Sequence, residues 1–200
     1  TEVATFRADG TYSDGRRPDA VTYGDARADA GRRDFTINGM FFDPLEDRVI
    51  DYVGGQKDLQ AKRLRTIGDA WQRFDEDKLR MLRAIRFATT LRFDLDPATR
   101  DAITQHAETI RVVSGERIGA EMRRVLAAPT ADFGLRELCD TDLATQVWPG
   151  LSEMPWQEFR QRWSRSPSHD PMTGLAVALL TLPTPEPGRM LKRLAEHWKL

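Results

Sequence analysis

An α+β fold is what this chain predicts, on three observations. Short alternating, β-prone segments punctuated by Gly, Asp and Pro occupy residues 1–68, helical apolar periodicity runs from Asp69 to the end, and the composition shifts near residue 68. The expected organisation is a strand-containing region, 1–68, followed by a helical region, 69–200. With 200 residues and 40% hydrophobic content, the chain suffices for one domain of ordinary size or a pair of small ones.

Taken in order, residues 2–7 (EVATFR) read as a first strand, and 9–20, rich in Gly, Asp and Arg, as a mobile polar loop. Residues 32–43 mix charged and apolar groups ahead of an Asp43-Pro44 turn, and RVIDYV at 48–53 reads as a short strand. Gly54-Gly55 turns the chain into a short helix, QKDLQAK, and RLRTI at 63–67 returns as a strand. Asp69 is a good N-cap, and from there the pattern stays helical. Asp96 ahead of Pro97, and Ser114 ahead of ERIGAEMRRVL, mark later helix starts. Trp148, Trp156 and Trp163 read as core or interhelix packing, because no basic residues are periodically interleaved to make a base-stacking platform. The Pro-rich segment 181–188 is a connector.

Composition excludes several classes. No apolar stretch approaches the roughly 20 residues that span a bilayer, and the first residues have neither a basic nor a hydrophobic signal region. Cys139 is the single cysteine, which rules out an intrachain disulfide or a cysteine-based zinc site and fits a cytoplasmic location. A net charge of −1 argues against a uniformly basic nucleic-acid binder. Yet Lys62 to Arg92 holds nine Lys or Arg against four Asp or Glu, a stripe that attracts phosphate or merely forms a solvated face. Thr1 falls inside a β-prone segment without an initiator Met, and Leu200 closes a periodic helix without a cap signal, so the chain is expected to be an interior piece of something longer.

The run DEDKLRMLRAIRF carries Glu76, Asp77, Arg80, Arg83 and Arg86 among apolar Leu79, Leu82, Ile85 and Phe87, the pattern of an amphipathic helix start. Planar guanidinium groups beside carboxylates present two-pronged hydrogen-bonding edges suited to nucleobases and phosphates. Glu76 at i,i+4 and Asp77 at i,i+3 can hold Arg80 in one orientation, so that Asp77 and Arg80 read a base edge. The same spacing also fits a surface salt bridge worth about 0.3–0.5 kcal/mol. A second polar cluster, Arg32, Arg33, Asp34 and Asn38, fits a triphosphate and ribose, or else a structural polar network at a strand-helix corner.

RRDFTINGMFFDP at 32–44, DYVGGQKDLQAKRLR at 51–65, RFDEDKLRMLRAIRFA at 73–88 and SGERIGAEMRRVL at 114–126 resemble, in order and spacing, successive motifs of class II tRNA nucleotidyltransferases and bacterial poly(A) polymerases. The resemblance covers about residues 1–126. It implies an incomplete nucleotidyltransferase head, polymerase-β-like, followed by an all-α neck and partial body. It assigns the base of CTP or ATP to Asp77 and Arg80 with Glu76 orienting the arginine, the sugar and triphosphate to Arg32, Arg33, Asp34 and Asn38, and further nucleotide contacts to Arg83 and Arg86. Residues 9–22 resemble the family's flexible loop. The implied reaction is attack by a tRNA 3′ hydroxyl on the α-phosphate of a nucleoside triphosphate, with Mg²⁺ as cofactor and pyrophosphate leaving.

The chain departs from that family at the metal site. The expected DxD pair would lie before Thr1, leaving no catalytic carboxylate pair within the chain and implying that the chain alone is inactive. Asp94-Leu95-Asp96 and Asp140-Thr141-Asp142 match DxD by letter but read as helix N-caps, and Glu2 is the remaining metal candidate. CCA addition to tRNA is the favoured reading. Poly(A) polymerase, a noncatalytic RNA- or nucleotide-binding module and a helical adaptor are the alternatives.

Overall fold

The computed structural model describes residues 5–9, 21–166 and 168–199. Glu2 lies outside them, as do most of the 9–22 loop and half of the first expected strand.

The strands form small separate pairs. β1 (Arg7–Asp9) runs antiparallel to β2 (Val21–Tyr23), and β3 (Met40–Asp43) to β4 (Arg48–Asp51), with Met40 opposite Asp51. Between these pairs α1 (Ala26–Arg32) starts at Asp25, whose carboxylate accepts from the Ala28 amide at 2.8 Å. A 3₁₀ turn at Thr36–Asn38 follows. The Gly54-Gly55 turn forms as expected: Asp51 accepts from the amides of Val53, Gly54, Gly55 and Gln56, and α2 (Gly55–Gln60) begins there. Gly54 sits at φ +80°, and a Cβ on Gly55 would lie 2.3 Å from the Thr36 carbonyl oxygen, so both positions require glycine.

The remainder is helical: α3 (Ala70–Glu76), α4 (Leu79–Leu91), α5 (Pro97–His106), α6 (Gly115–Leu126), α7 (Ala131–Asp140), α8 (Leu143–Val147), α9 (Trp156–Ser164), α10 (Pro171–Thr181) and α11 (Pro187–Trp198). Asp69 caps α3 through the Gln72 amide at 2.9 Å, as its position predicts. One strand interrupts the expected run of helices. β6 (Asp94–Leu95) pairs in parallel with β5 (Arg63–Leu64), and the Asp96 amide donates to Leu64 O at 2.9 Å. The amides of Asp94 and Asp96, just after α4, thereby find acceptors in Lys62 O and Leu64 O of the strand-containing region.

Both DxD strings sit at helix starts. Asp96 and Asp142 occupy the N-cap positions of α5 and α8, but neither side chain caps its helix, and Asp96 faces Arg63 at 3.8 Å. Ser114 likewise stands at the start of α6 without a side-chain cap bond.

A single buried apolar cluster joins Phe35 and Leu64 to Met81, Leu82 and Ile85 of α4, then continues through α6 and α7 to Trp148 and Trp198. Each large side chain fully buried there contributes about 1.5–3 kcal/mol. The tryptophans pack as expected: Trp148 meets Trp198 edge-on at 5.5 Å, Trp163 donates to Pro129 O at 3.1 Å, and Trp156 lies under the Arg136 guanidinium. α4 occupies the centre of this arrangement, packed on α6 and α7, and its N-terminal end faces the 32–38 corner.

Candidate nucleotide-binding cleft

An open cleft of about 420 Å³ lies where α1 and the following corner meet the start of α4. Arg32, Arg33, Asp34 and Asn38 line one side; Asp77, Leu79, Arg80, Arg83 and Arg117 line the other. Two sequence clusters, one ending at Asn38 and the other beginning at Asp77, thus share one space. Five guanidinium groups against two carboxylates make its wall cationic.

Each of these arginines is paired with a carboxylate. Asp29, only 2% exposed, gives one carboxylate oxygen to Arg32 (2.9 Å from Nε, 2.7 Å from Nη2) and the other to Arg33 (3.1 Å from Nε, 2.8 Å from Nη2). α1 makes this possible, because Asp29 is three and four residues before the pair and therefore on the same helical face. Arg33 also donates to Asn38 O at 2.9 Å.

Asp34 bonds across the cleft rather than to its neighbouring arginines. Its Oδ2 accepts from Arg83 Nε at 2.8 Å and from Arg83 Nη2, while Oδ1 accepts from the Phe35 amide and Asn38 Nδ2, both at 2.9 Å. Burial works to raise the Asp34 pKa, but the Arg83 charge, together with the Asn38 and Phe35 bonds, outweighs it and holds the carboxyl below its ordinary value.

The opposite wall is built on a break. α3 ends at Glu76, Asp77 takes an extended conformation, and α4 begins at Leu79, whose amide donates to Asp77 Oδ1 at 3.1 Å. Glu76 holds Arg80 through Nη1, which also donates to Arg73 O at 3.0 Å. Arg117 of α6 donates from Nη2 to Asp77 Oδ2 at 2.8 Å. Arg73 ties this wall to the opposite one, bonding Ile67 O, Gly31 O and Arg33 O besides Glu76.

Arg86 does not line the cleft. A three-residue step falls short of the 3.6-residue turn, so each successive arginine is displaced about 60° around α4, and Arg86 ends about 120° from Arg80. It is 9% exposed, paired with the buried carboxylate of Glu121 on α6 and stacked 3.7 Å from the Phe87 ring centroid. Sequence reading missed Asp29, Arg73 and Arg117, although Arg117 belongs to the fourth motif, SGERIGAEMRRVL.

Residues 1–65 match the poly A polymerase head domain, and residues 92–154 match the family described as the probable RNA and SrmB-binding site of polymerase A. The CCA-adding enzyme of Geobacillus thermodenitrificans is 41% identical over 177 residues, covering 82% of this chain and 43% of its own. The chain belongs to the CCA-adding enzyme and poly(A) polymerase head family. A second member, the CCA-adding enzyme of Levilactobacillus brevis, is 43% identical over 143 residues, covering 71% of this chain and 36% of its own. The chain spans less than half the length of these two curated family members. Among solved structures, the Bacillus stearothermophilus CCA-adding enzyme in complex with CTP superposes with a TM-score of 0.65 at 26% identity, covering 98% of this chain and 63% of that one. The Thermotoga maritima CCA-adding enzyme complexed with tRNA shares the fold, with a TM-score of 0.67 at 23% identity over 88% of this chain and 45% of that one.

Among the described residues, no group of three or more His, Cys, Asp or Glu side chains is placed to hold a metal ion. The carboxylates of the cleft are each committed to arginine. Among the described residues the cleft therefore offers guanidinium, carboxylate and amide groups, with no cluster of uncommitted carboxylates that would fit Mg²⁺.

Proposed function

We propose that the chain supplies the nucleotide-selecting cleft and part of the RNA-handling scaffold of a tRNA nucleotidyltransferase that adds CCA to the tRNA 3′ end from CTP and ATP. The observation that carries the reading is the cleft itself: the cluster suited to triphosphate and ribose and the cluster suited to a base edge face one another across nucleotide-sized space.

Arg32 and Arg33, pre-oriented by Asp29, meet the triphosphate, where a guanidinium fork matches paired phosphate oxygens. Asp34, ionised and therefore acceptor-only, and Asn38 serve the ribose hydroxyls. Arg80 and Asp77 present donors and acceptors side by side to the Watson–Crick edge, where a good bidentate contact is worth about 1–3 kcal/mol of discrimination. Glu76 and Arg117 fix the two, so the order of donors and acceptors does not have to be established at the moment of binding. We assign Arg86 to structure instead.

In the reaction, the RNA 3′ hydroxyl oxygen gives up its proton to solvent and bonds to the α-phosphorus as the bond from that phosphorus to the oxygen bridging to the β-phosphate breaks and pyrophosphate leaves. The described residues hold and orient the nucleotide for that exchange. The proposal places the Mg²⁺ carboxylates elsewhere, with Glu2 as one candidate, and expects the chain alone to bind nucleotide without transferring it. It retains a division of labour near residue 68, although β5, β6 and Arg73 tie the two regions together. Among the described residues no helix is long and apolar enough to cross a membrane, and a cytoplasmic site of action with tRNA is part of the proposal.

CCA addition is preferred to poly(A) synthesis because the curated relatives above are CCA-adding enzymes at about 40% identity. The test supplies protein carrying this sequence within the full length of such relatives with Mg²⁺, tRNA lacking its terminal CCA, and CTP and ATP separately or together. Two C residues followed by one A are expected. Long A tails on unrelated RNA would favour the poly(A) reading, and nucleotide binding without transfer would favour a binding module.

A further inference from the structure

A second concavity, about 390 Å³, lies far along the chain from the nucleotide cleft, between α11 and the end of α8. Val147, Pro149, Met190 and Leu194 supply apolar surface to it. Arg189, Arg193 and His197 also line it, spaced four residues apart and therefore along one face of α11, about 6 Å per step. All three are exposed. Glu186 pairs with Arg189 at 2.7 Å, and Gln146 on the facing wall accepts from Arg111, which brings a further guanidinium beside the groove.

A face built only for solubility would intersperse both signs, as α9 does with Glu158 and Arg162. Here one cationic or protonatable side chain per turn follows the groove, with Glu186 the single carboxylate lining it. A polyanion with a regular charge repeat is complementary to such a row, and the apolar surface adds room for the sugar or base edge beside it. One wall, Gln146 to Pro149, also falls within the segment matching the family described as a probable RNA and SrmB-binding site.

We propose that this groove is an RNA phosphodiester-binding track, with Arg189 and Arg193 each taking a backbone phosphate. The proposal rests on the RNA-handling reading above and adds to it α11, which lies beyond the segment matched by the RNA-binding family. Phosphate contacts confer affinity and position without base preference, so the track would hold the body of the RNA while the cleft reads the nucleotide.

The test measures the affinity of this chain for a fluorescently labelled tRNA by anisotropy at several salt concentrations, for the wild type, Arg193→Ala and the double variant Arg189→Ala/Arg193→Ala. Circular dichroism and thermal melting verify that the variants fold, as expected for exposed positions. The slope of log affinity against log salt should become shallower by about 0.7–0.9 per phosphate contact removed. The double variant should weaken tRNA binding at least tenfold at low salt while leaving CTP affinity unchanged. Tight tRNA binding with an unaltered slope in both variants would overturn the groove while leaving the nucleotide cleft and its function standing. No tRNA binding by the wild-type chain would overturn the groove together with the RNA-handling reading.

Discussion

Arg83 and Arg86 are one turn apart on α4 and identical in chemistry, yet they face opposite environments. Arg83 is about a third exposed, reaches across the nucleotide cleft to Asp34 and shares its wall with Arg80. Arg86 is buried between α4 and α6, its charge matched by Glu121 with Arg124 at 3.8 Å behind. An arginine ladder at three-residue spacing winds around its helix, so that one end opens on the cleft and the other ties helices together.

The largest effect should come from breaking the buried end. Arg86→Ala leaves the Glu121 carboxylate buried without its main partner and should cost about 3–5 kcal/mol in denaturant unfolding, while the folded variant retains CTP affinity. Replacing both residues by apolar groups, Arg86→Met with Glu121→Leu, should recover much of that loss.

At the cleft, Asp29→Ala removes the brace shared by Arg32 and Arg33. CTP affinity should fall by about tenfold or more, the equivalent of roughly one charge-assisted hydrogen bond. Titration calorimetry would show it, and undiminished affinity would mean that those arginines need no shared anchor.

A smaller, pH-dependent effect is expected at Asp34. Its folded pKa lies below its unfolded value of roughly 3.9, so its contribution to stability is full above that value and lost as pH falls through the folded one. Asp34→Asn should flatten the acid limb of the stability profile and leave its slope above about pH 5 unchanged. The smallest effect belongs to the exposed Glu158–Arg162 pair on α9, where Glu158→Ala should change stability by no more than about 0.5 kcal/mol.

Much of this is legible in the sequence alone. Asp69, the Gly54-Gly55 turn and the packing tryptophans declare themselves by local chemistry: a cap, a left-handed φ, a bulky ring without basic neighbours. Both halves of the cleft were readable as polar clusters that a core would not tolerate unexplained. What the linear order hid is how they meet. Asp34 and Arg83 are 49 residues apart, and Asp77 and Arg117 are 40 apart, with no periodicity to join them. Asp29 escaped notice because a single aspartate in a short alanine-rich helix has no distinctive pattern until its two partners are seen on the same face. β6 was equally silent, since a two-residue strand carries no measurable alternation.

In the function proposed above, Asp77 and Arg80 choose the base. Calorimetric titration of the wild-type chain and of Arg80→Ala with CTP, ATP, UTP and GTP tests it most directly. CTP and ATP should bind at least tenfold more tightly than the other two, and Arg80→Ala should erase that preference while retaining most of the affinity due to the triphosphate. A variant that keeps the full preference for CTP and ATP would contradict the account.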